Sequence, residues 1–186
     1  TIGLLLHDIG KIKISDNILK KNGKLNNEEY KRIQEHPKMG YEILKDYYRI
    51  SSLSKYVVLH HHEEIDGSGY PNSKTGAELH NFAKIAHIID VFDALTTNRC
   101  YRDRWSNKKA MELIVANTGT EFDEEFVQEF RKHIAIYPNG TEVELNTGQI
   151  ALVKEQNKSF PERPIIKIIK DKNNKKLENS ETINLM

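Results

Sequence analysis

The sequence predicts a mainly α-helical domain over residues 1–136 and a small β-rich extension over residues 137–186. In "NFAKIAHIIDVFDALTTN" the apolar residues recur at helical spacing and form one stripe of Phe82, Ile85, Ile88, Ile89, Phe92 and Leu95. After Tyr137 the pattern changes, because "TEVELN" and "QIALV" alternate on either side of a Thr-Gly turn. A chain of 186 residues with 38% apolar and 30% charged residues fits one main domain with an appendage.

The first helices are indicated by capping residues. "TIGLLLHDIGK" is typical of the middle of an apolar helix, so we expect a natural N-terminal part to precede it. In "LNNEEYKRIQEH" Asn26 can cap a helix and Glu29 can close a capping box. Pro37 can open the next helix, which leaves His36 at the junction. "SSLSKYVVLHHHEE" then combines a serine cap with an apolar stretch that runs into the histidines.

The later elements follow from the same signals. Ser106 can cap a helix that stops near Gly119, and "DEEFVQEFRKH" predicts one more helix. The alternating segments after Tyr137 predict a β-hairpin that turns between Asn146 and Gly148. "RPIIKIIKD" predicts a third strand, and "KNNKK" an exposed turn.

Charge and cysteine content exclude several classes of protein. With 28 basic and 27 acidic residues, the net charge of +1 gives no long-range field to recruit a nucleic acid polymer or an anionic membrane. Any anionic ligand must therefore be held by local charges. The single cysteine, Cys100, excludes an internal disulfide framework and favours a cytoplasmic, reducing environment. No run of about 18 apolar residues is present that would span a membrane.

Four separate segments carry an imidazole or a carboxylate at a predicted helix end or on a buried helix face. They contain the adjacent His7 and Asp8, then His36, then His61 and His62, and finally Asp90. One such histidine alone is more often a helix cap or a core residue than a ligand. Four segments together predict a metal site, and mixed imidazole and carboxylate ligands suit Fe, Mn or Zn better than Ca or Mg.

These motifs resemble a known family. "HDIGK", "HP" at 36–37, "HHEEIDGSGYP" at 61–71 and "DVFDALTTNRCYR" at 90–102 match, in order and spacing, the HD-GYP group of the HD phosphohydrolase superfamily. The resemblance implies an HD-domain helical bundle with two or three divalent metal ions, typically iron or manganese. It also implies hydrolysis of the bacterial second messenger cyclic di-GMP to pGpG or GMP. Members of the family are often controlled by a fused or separate sensory or receiver domain.

The resemblance also assigns roles residue by residue. The implied metal ligands are His7, Asp8, His36, His61, His62 and Asp90. Asp8 is the natural bridging carboxylate between two ions, and Lys11 is expected to face the substrate phosphate. The implied substrate-binding residues are Arg99, Arg102, Asp93, Tyr70 and Gly69. Glu63 is expected to orient a ligand imidazole, and the glycine-rich turn to fold Asp66 back over the site.

Two departures from the family pattern accompany these expectations. Cys100 stands where the family usually has a proline, and a further ligand histidine upstream of "HDIGK" has no counterpart in this sequence, so one metal is expected to lack a ligand.

Two alternatives stay open beside a cyclic di-GMP phosphodiesterase. One is another HD-type activity, for example on a mixed cyclic dinucleotide, and the other is a non-catalytic module that binds a cyclic dinucleotide or a partner protein. His60, His80, His87 and His133 are expected to be structural, although the spacing of His87 from Asp90 would let it approach the site.

Overall fold

The computed structural model describes residues 2–98, 104–157, 160–177 and 181–185. The chain divides into two compact units, Thr1–Trp105 with Leu113–Val127 and Ser106–Glu112 with Gln128–Met186. The predicted fold class is confirmed, since helices precede a small antiparallel sheet along the chain. None of the helices in the described part of the chain combines the length and the apolar character of a membrane-spanning segment.

The helices of the described residues follow one another closely in sequence. They are α1 (Ile2–Leu6), α2 (Asp16–Leu19), α3 (Asn27–Gln34), α4 (His36–Leu44), α5 (Ser52–His60), α6 (Asn81–Thr96), α7 (Asn107–Ala116) and α8 (Glu124–His133). A short 3₁₀ helix, Ile9–Lys13, lies between α1 and α2. The sequence predicted neither this 3₁₀ helix nor α2.

Helix α3 begins as its sequence predicts. The Asn26 side chain accepts a hydrogen bond of 2.8 Å from the Glu29 backbone N–H, and the Glu29 carboxylate accepts one from the Asn26 backbone N–H. This reciprocal pair satisfies two backbone donors that have no partner inside the helix. Ser51 caps α5 in a similar way through its hydroxyl oxygen, and Ser106 hydrogen-bonds the first turn of α7.

Helix α6 buries Ile88 and Leu95 of the predicted stripe, together with small residues that the stripe did not include. Ala83, Ala86, His87 and Ile88 are buried, whereas Phe82 is 40% exposed. The prediction was wrong at Phe82, because the helical spacing of the large apolar residues does not show which of them become buried when α6 packs against its neighbours. On this buried face the His87 ring donates a hydrogen bond to the carbonyl oxygen of His61, which directly follows α5.

The second unit contains a four-stranded antiparallel sheet in the order β1-β2-β3-β4. Its strands are β1 (Glu142–Glu144), β2 (Ile150–Glu155), β3 (Ile165–Lys170) and β4 (Thr182–Asn184). The predicted hairpin and third strand are confirmed, with Val143 opposite Ala151 in the β1–β2 pair, while β4 was not predicted. Alternate residues of β2 and β3 are buried, so Ala151, Val153 and Ile166 form the core of this unit.

Candidate metal centre

The first pair of predicted ligands lies in a turn. Helix α1 ends at Leu6, and His7 and Asp8 lie between it and the 3₁₀ helix. The His7 ring donates from Nδ1 to the Leu4 carbonyl oxygen at 2.6 Å. Its other nitrogen, Nε2, lies 3.4 Å from Asp8 Oδ2 and 3.4 Å from Asp90 Oδ1. Because the helix ends before them, these adjacent side chains can approach the same point.

Gly10 brings this turn against α4. A Cβ atom on residue 10 would lie only 2.0 Å from the His36 carbonyl oxygen and 2.5 Å from the Gly40 backbone nitrogen. A glycine is therefore required for the two backbones to approach this closely. The contact places Asp8 Oδ1 at 3.3 Å from His36 Nε2.

Two buried imidazoles face each other inside the cluster. His36 and His61 each have Nδ1 against a backbone carbonyl oxygen, of Ile33 at 2.7 Å and of Val58 at 2.9 Å. A carbonyl oxygen only accepts, so Nδ1 holds the proton and Nε2 of the neutral ring presents a lone pair. The two Nε2 atoms are 3.1 Å apart. Such a contact between two acceptors is unfavourable unless a cation lies beside them.

Asp8 and Asp90 complete the arrangement. Asp8 Oδ1 is buried and has no hydrogen-bond partner among the described residues, because the nearby His36 Nε2 carries no proton to donate. Asp90, on α6, contacts His7 through Oδ1 and lies 3.9 Å from His62 Nδ1 through Oδ2. The chemistry of these atoms fits a metal ion, since His36 Nε2 faces two other acceptors, His61 Nε2 and Asp8 Oδ1, with no donor between them among the described residues.

Within the described residues, the ligand atoms form two overlapping groups. One consists of His36, His61 and His62, and the other of His7, Asp8 and His61, with the atoms of each group within 4.8 Å of one another. His61 belongs to both groups and is fully buried. The structure thus brings together all six residues that the sequence predicted as ligands, with Asp90 in contact with a member of each group.

Burial and local charge set suitable protonation states for most of these groups. Burial, with a smaller contribution from the neighbouring imidazoles, lowers the pKa of His61 to about 3 and that of His62 to about 2. Burial also lowers the pKa of His36. Burial raises the pKa of Asp90, but the contact with His7 outweighs this and lowers the pKa to about 2. Neutral imidazoles and ionised carboxylates are the forms that bind metals.

His7 differs from the other three imidazoles. Burial lowers its pKa, but the hydrogen bonds to Asp8 and Asp90 outweigh this effect and raise the pKa to about 10. The Asp8 carboxyl shows the reciprocal change, because His7 and Lys11 outweigh its burial and hold its pKa well below the usual range. A metal ion that binds His7 must therefore displace a proton from it.

Lys11 and Tyr70 lie beside the cluster. The Lys11 ammonium donates to Asp8 Oδ2 at 2.6 Å, and its side chain is partly exposed. The Tyr70 ring stacks on His62, with 4.7 Å between the ring centroids and 23° between the planes. Gly69, which precedes Tyr70, packs against the backbone of Glu64, since a Cβ on residue 69 would lie 2.3 Å from the Glu64 nitrogen.

A family model described as an HD domain matches residues 1–126, which is more than half of the chain. The chain belongs to the HD domain family. Its motifs and its relatives place this HD domain in the HD-GYP group. A second model, described as a KOW domain associated with an HD domain, matches residues 142–186 and so covers the sheet.

Several relatives resemble this HD domain at the sequence level. A cyclic di-GMP phosphodiesterase of Pseudomonas aeruginosa is 37% identical over 164 residues, which is 88% of this chain and 39% of the relative. A 3'3'-cGAMP-specific phosphodiesterase of Vibrio cholerae is 40% identical over 129 residues, or 69% of this chain and 25% of the relative. A cyclic di-GMP phosphodiesterase response regulator of Xanthomonas campestris is 40% identical over 119 residues, or 63% of this chain and 32% of the relative. The chain therefore spans less than half the length of these relatives.

Two solved structures share the fold. An HDG"Y"P protein from Bdellovibrio bacteriovorus has a TM-score of 0.57 and 18% identity, with 70% of this chain and 41% of the other covered. A cyclic GMP-AMP-specific phosphodiesterase of Vibrio cholerae has a TM-score of 0.52 and 18% identity, with 70% of this chain and 36% of the other covered. At this identity the likeness concerns the fold alone.

Two acidic residues of this HD domain lie differently from their predicted positions. Among the described residues the buried Glu63 carboxylate contacts no predicted ligand imidazole: it accepts from the backbone N–H groups of Asn72 and Lys74 and faces His60. Asp66 does not fold over the site either. It is exposed and accepts hydrogen bonds from Ser68, which closes a turn at the start of the glycine-rich loop. The donors to these two carboxylates, Ser68, Asn72 and Lys74, all belong to the loop, and the sequence did not indicate the path of its backbone.

The predicted substrate-binding residues of the last segment are only partly described. Asp93 is exposed on α6 and accepts from the Thr97 hydroxyl at 3.3 Å. Arg99 and Arg102 lie outside the described residues. Their roles, like those of the six ligands, stay predictions.

His87 hydrogen-bonds the backbone of the predicted ligand His61. The only sign of this in the sequence was its spacing from Asp90. Its Nδ1 donates to the His61 carbonyl oxygen at 2.9 Å, and its ring stacks on Phe122 with centroids 5.1 Å apart. Its other ring nitrogen lies 3.3 Å from a Glu121 carboxylate oxygen. Since α6 also carries Asp90, this hydrogen bond ties α6 to the turn after α5 that carries His61.

Proposed function

We propose that this chain carries the catalytic site of a metal-dependent phosphodiesterase that hydrolyses cyclic di-GMP in bacterial second-messenger signalling. The observation that carries the proposal is the cluster of four histidines and two aspartates, in which ring nitrogens and carboxylate oxygens lie 3.1–3.4 Å from one another. Relatives with the same motifs are named cyclic di-GMP phosphodiesterases, one of them at 37% identity over 88% of this chain.

The cofactors that we propose are two or three divalent metal ions, either iron or manganese. His7, Asp8, His36, His61, His62 and Asp90 would hold them. The buried, unpartnered Oδ1 of Asp8, together with its second oxygen, suits a carboxylate that bridges two ions. Bound divalent ions polarise a phosphodiester and make water a nucleophile at neutral pH.

The protein's own charged side chains then position the substrate. The partly exposed Lys11 ammonium, fixed by Asp8, would bind a non-bridging phosphate oxygen beside the cluster. In the proposal Arg99 and Arg102 clamp the phosphates, because a guanidinium group can donate two parallel hydrogen bonds. Asp93, Gly69 and Tyr70 would line the surface on which the nucleotide lies. The products would be pGpG, GMP or both.

A second candidate substrate is 3'3'-cGAMP. A Vibrio cholerae relative named as specific for this mixed dinucleotide is 40% identical over 129 residues, and that identity matches the one to the cyclic di-GMP enzymes. A purely non-catalytic binding module is less well supported, because all six predicted ligands are retained and cluster together. We further propose that a fused or separate sensory or receiver domain regulates the activity.

A parallel assay of the two cyclic dinucleotides tests the proposal. The purified chain would be loaded with Mn²⁺ or, under anaerobic conditions, with Fe²⁺, and then incubated with cyclic di-GMP or 3'3'-cGAMP. We expect chromatography to show pGpG or GMP from cyclic di-GMP, and no product from the His61→Ala variant. Preferential cleavage of 3'3'-cGAMP would support the second candidate. Metal-loaded protein that cleaves neither dinucleotide would contradict the proposal.

A further inference from the structure

The glycine-rich loop is fixed at its first end by its own backbone. The Tyr70 backbone N–H donates to the His62 carbonyl oxygen at 3.0 Å. Gly69 permits this contact, because a Cβ there would lie 2.5 Å from the same carbonyl oxygen and 2.6 Å from the Glu63 Cα. The loop therefore leaves α5 and returns directly onto the backbone of a predicted metal ligand.

The second end of the loop is held by a buried carboxylate. Glu63 is 1% exposed, and its two oxygens accept separately from the Asn72 N–H at 2.7 Å and the Lys74 N–H at 2.9 Å. His60 Nδ1 lies 3.4 Å from the oxygen that binds Asn72. An ionised group is buried only when it is fully paired, and hydrogen bonds to a charged acceptor are among the strongest in proteins.

Tyr70 lies between these two ends. Its ring stacks on His62, with centroids 4.7 Å apart, and the ring centroid of His36 is 6.5 Å away. With the chain anchored at Tyr70 on one side and at Asn72 and Lys74 on the other, the ring has little freedom to leave His62. The position of Tyr70 over the cluster thus depends on contacts made several residues later.

We propose that Glu63 is a positioning residue, which acts through the loop of residues 69–74 to hold Tyr70 on the His62 face of the metal cluster. The inference rests on the proposed function, and it assigns Glu63 to the substrate surface instead of to the metal ligands. A preorganised surface binds its ligand more tightly because less conformational freedom is lost on binding. Release of the loop should therefore raise KM for the cyclic dinucleotide more than it lowers kcat.

The test compares Glu63→Gln with Glu64→Gln. The Glu63 substitution keeps the side-chain shape but replaces one acceptor oxygen with an NH₂ group, which cannot accept from a loop amide. Glu64 is the matched control, because its carboxylate accepts from the Ser68 hydroxyl at 2.7 Å and contacts neither Asn72 nor Lys74. A second variant, Glu63→Asp, keeps the carboxylate but moves it away from the loop, because the side chain is one methylene group shorter. This variant replaces Glu63→Gln in the test if Glu63→Gln does not fold.

Amide hydrogen exchange measured by NMR reports on the anchor without any need for activity. We expect exchange at Asn72, at Lys74 or at both to become about tenfold to a hundredfold faster in the Glu63 variants, the range for loss of a hydrogen bond to an ionised group. Bound metal per chain should match the wild type, because the partners of the Glu63 carboxylate among the described residues are His60, Asn72 and Lys74, none of which is a predicted ligand. KM should rise by about tenfold, with kcat changed much less, and Glu64→Gln should resemble the wild type in all three measurements.

Each contrary result has a definite meaning. Wild-type exchange at both amides in the Glu63 variants would overturn the inference, and so would faster exchange with an unchanged KM. Loss of bound metal would also overturn it, since that would show that Glu63 acts on the ligands. If the wild-type chain cleaves neither dinucleotide, the proposed function fails, whereas the exchange rates and metal content still decide whether Glu63 anchors the loop.

Discussion

Substitution of Gly10 by alanine should damage the metal centre without replacing any ligand side chain. The new Cβ would lie 2.0 Å from the His36 carbonyl oxygen, whereas ordinary van der Waals contact begins at 3.4 Å. All three clashing neighbours, the His36 carbonyl oxygen and carbon and the Gly40 nitrogen, are backbone atoms, so no side chain can rotate away. The 3₁₀ helix and α4 must therefore separate by roughly 1.4 Å, the difference between these two distances, as expected for a close-packed interior.

This separation would pull Asp8 away from His36, which lies 3.3 Å from it. Overpacking of this kind costs about 1–3 kcal/mol. For a chain of this length the melting temperature should then fall by about 2–12 °C. Metal affinity should fall by about tenfold to a hundredfold, the effect typical of disturbing the groups that orient ligands. Isothermal titration with Mn²⁺ and thermal unfolding would measure the two effects.

Gly23→Ala is the matched control. Gly23 has a φ of +113°, and a Cβ there would meet no atom within 4 Å. The substitution should strain the backbone by about 1 kcal/mol or more but leave metal affinity unchanged. A folded Gly10→Ala protein that binds Mn²⁺ as tightly as the wild type would refute the reasoning about this close approach.

Three further predictions follow from the structure. His87→Leu removes the donor to the His61 carbonyl oxygen, and we expect calorimetry to show metal affinity reduced by about tenfold; unchanged affinity would mean that this hydrogen bond does not orient His61. Asn26→Ala removes half of the capping box with Glu29 and should lower the free energy of unfolding by about 1 kcal/mol in urea denaturation, with no loss of metal binding. Ile166→Ala empties a fully buried position in the sheet and should cost about 2–5 kcal/mol; a loss below 1 kcal/mol in the same assay would contradict the assignment of this residue to the core.

The sequence determined the features that depend on neighbours within one helical turn or one hairpin. The capping box of Asn26 and Glu29 and the hairpin that pairs Val143 with Ala151 were predicted correctly, because their partners lie a few residues apart. The six candidate ligands were also proposed from sequence, since their types and their positions at helix ends or on a helix face were visible in the motifs. The resemblance to a known family then indicated that these separate segments meet.

Only the tertiary structure decided which groups support the site. Glu63 was expected to orient a ligand imidazole, yet its partners are the amides of Asn72 and Lys74, nine and eleven residues later. His87 reaches the carbonyl oxygen of His61 across 26 positions. Gly10 was part of a sequence motif, but its close contact with the His36 backbone is visible only in the folded structure. Such contacts depend on the path of the whole chain, because backbone amides and carbonyls are identical at nearly every residue and carry no sequence signal.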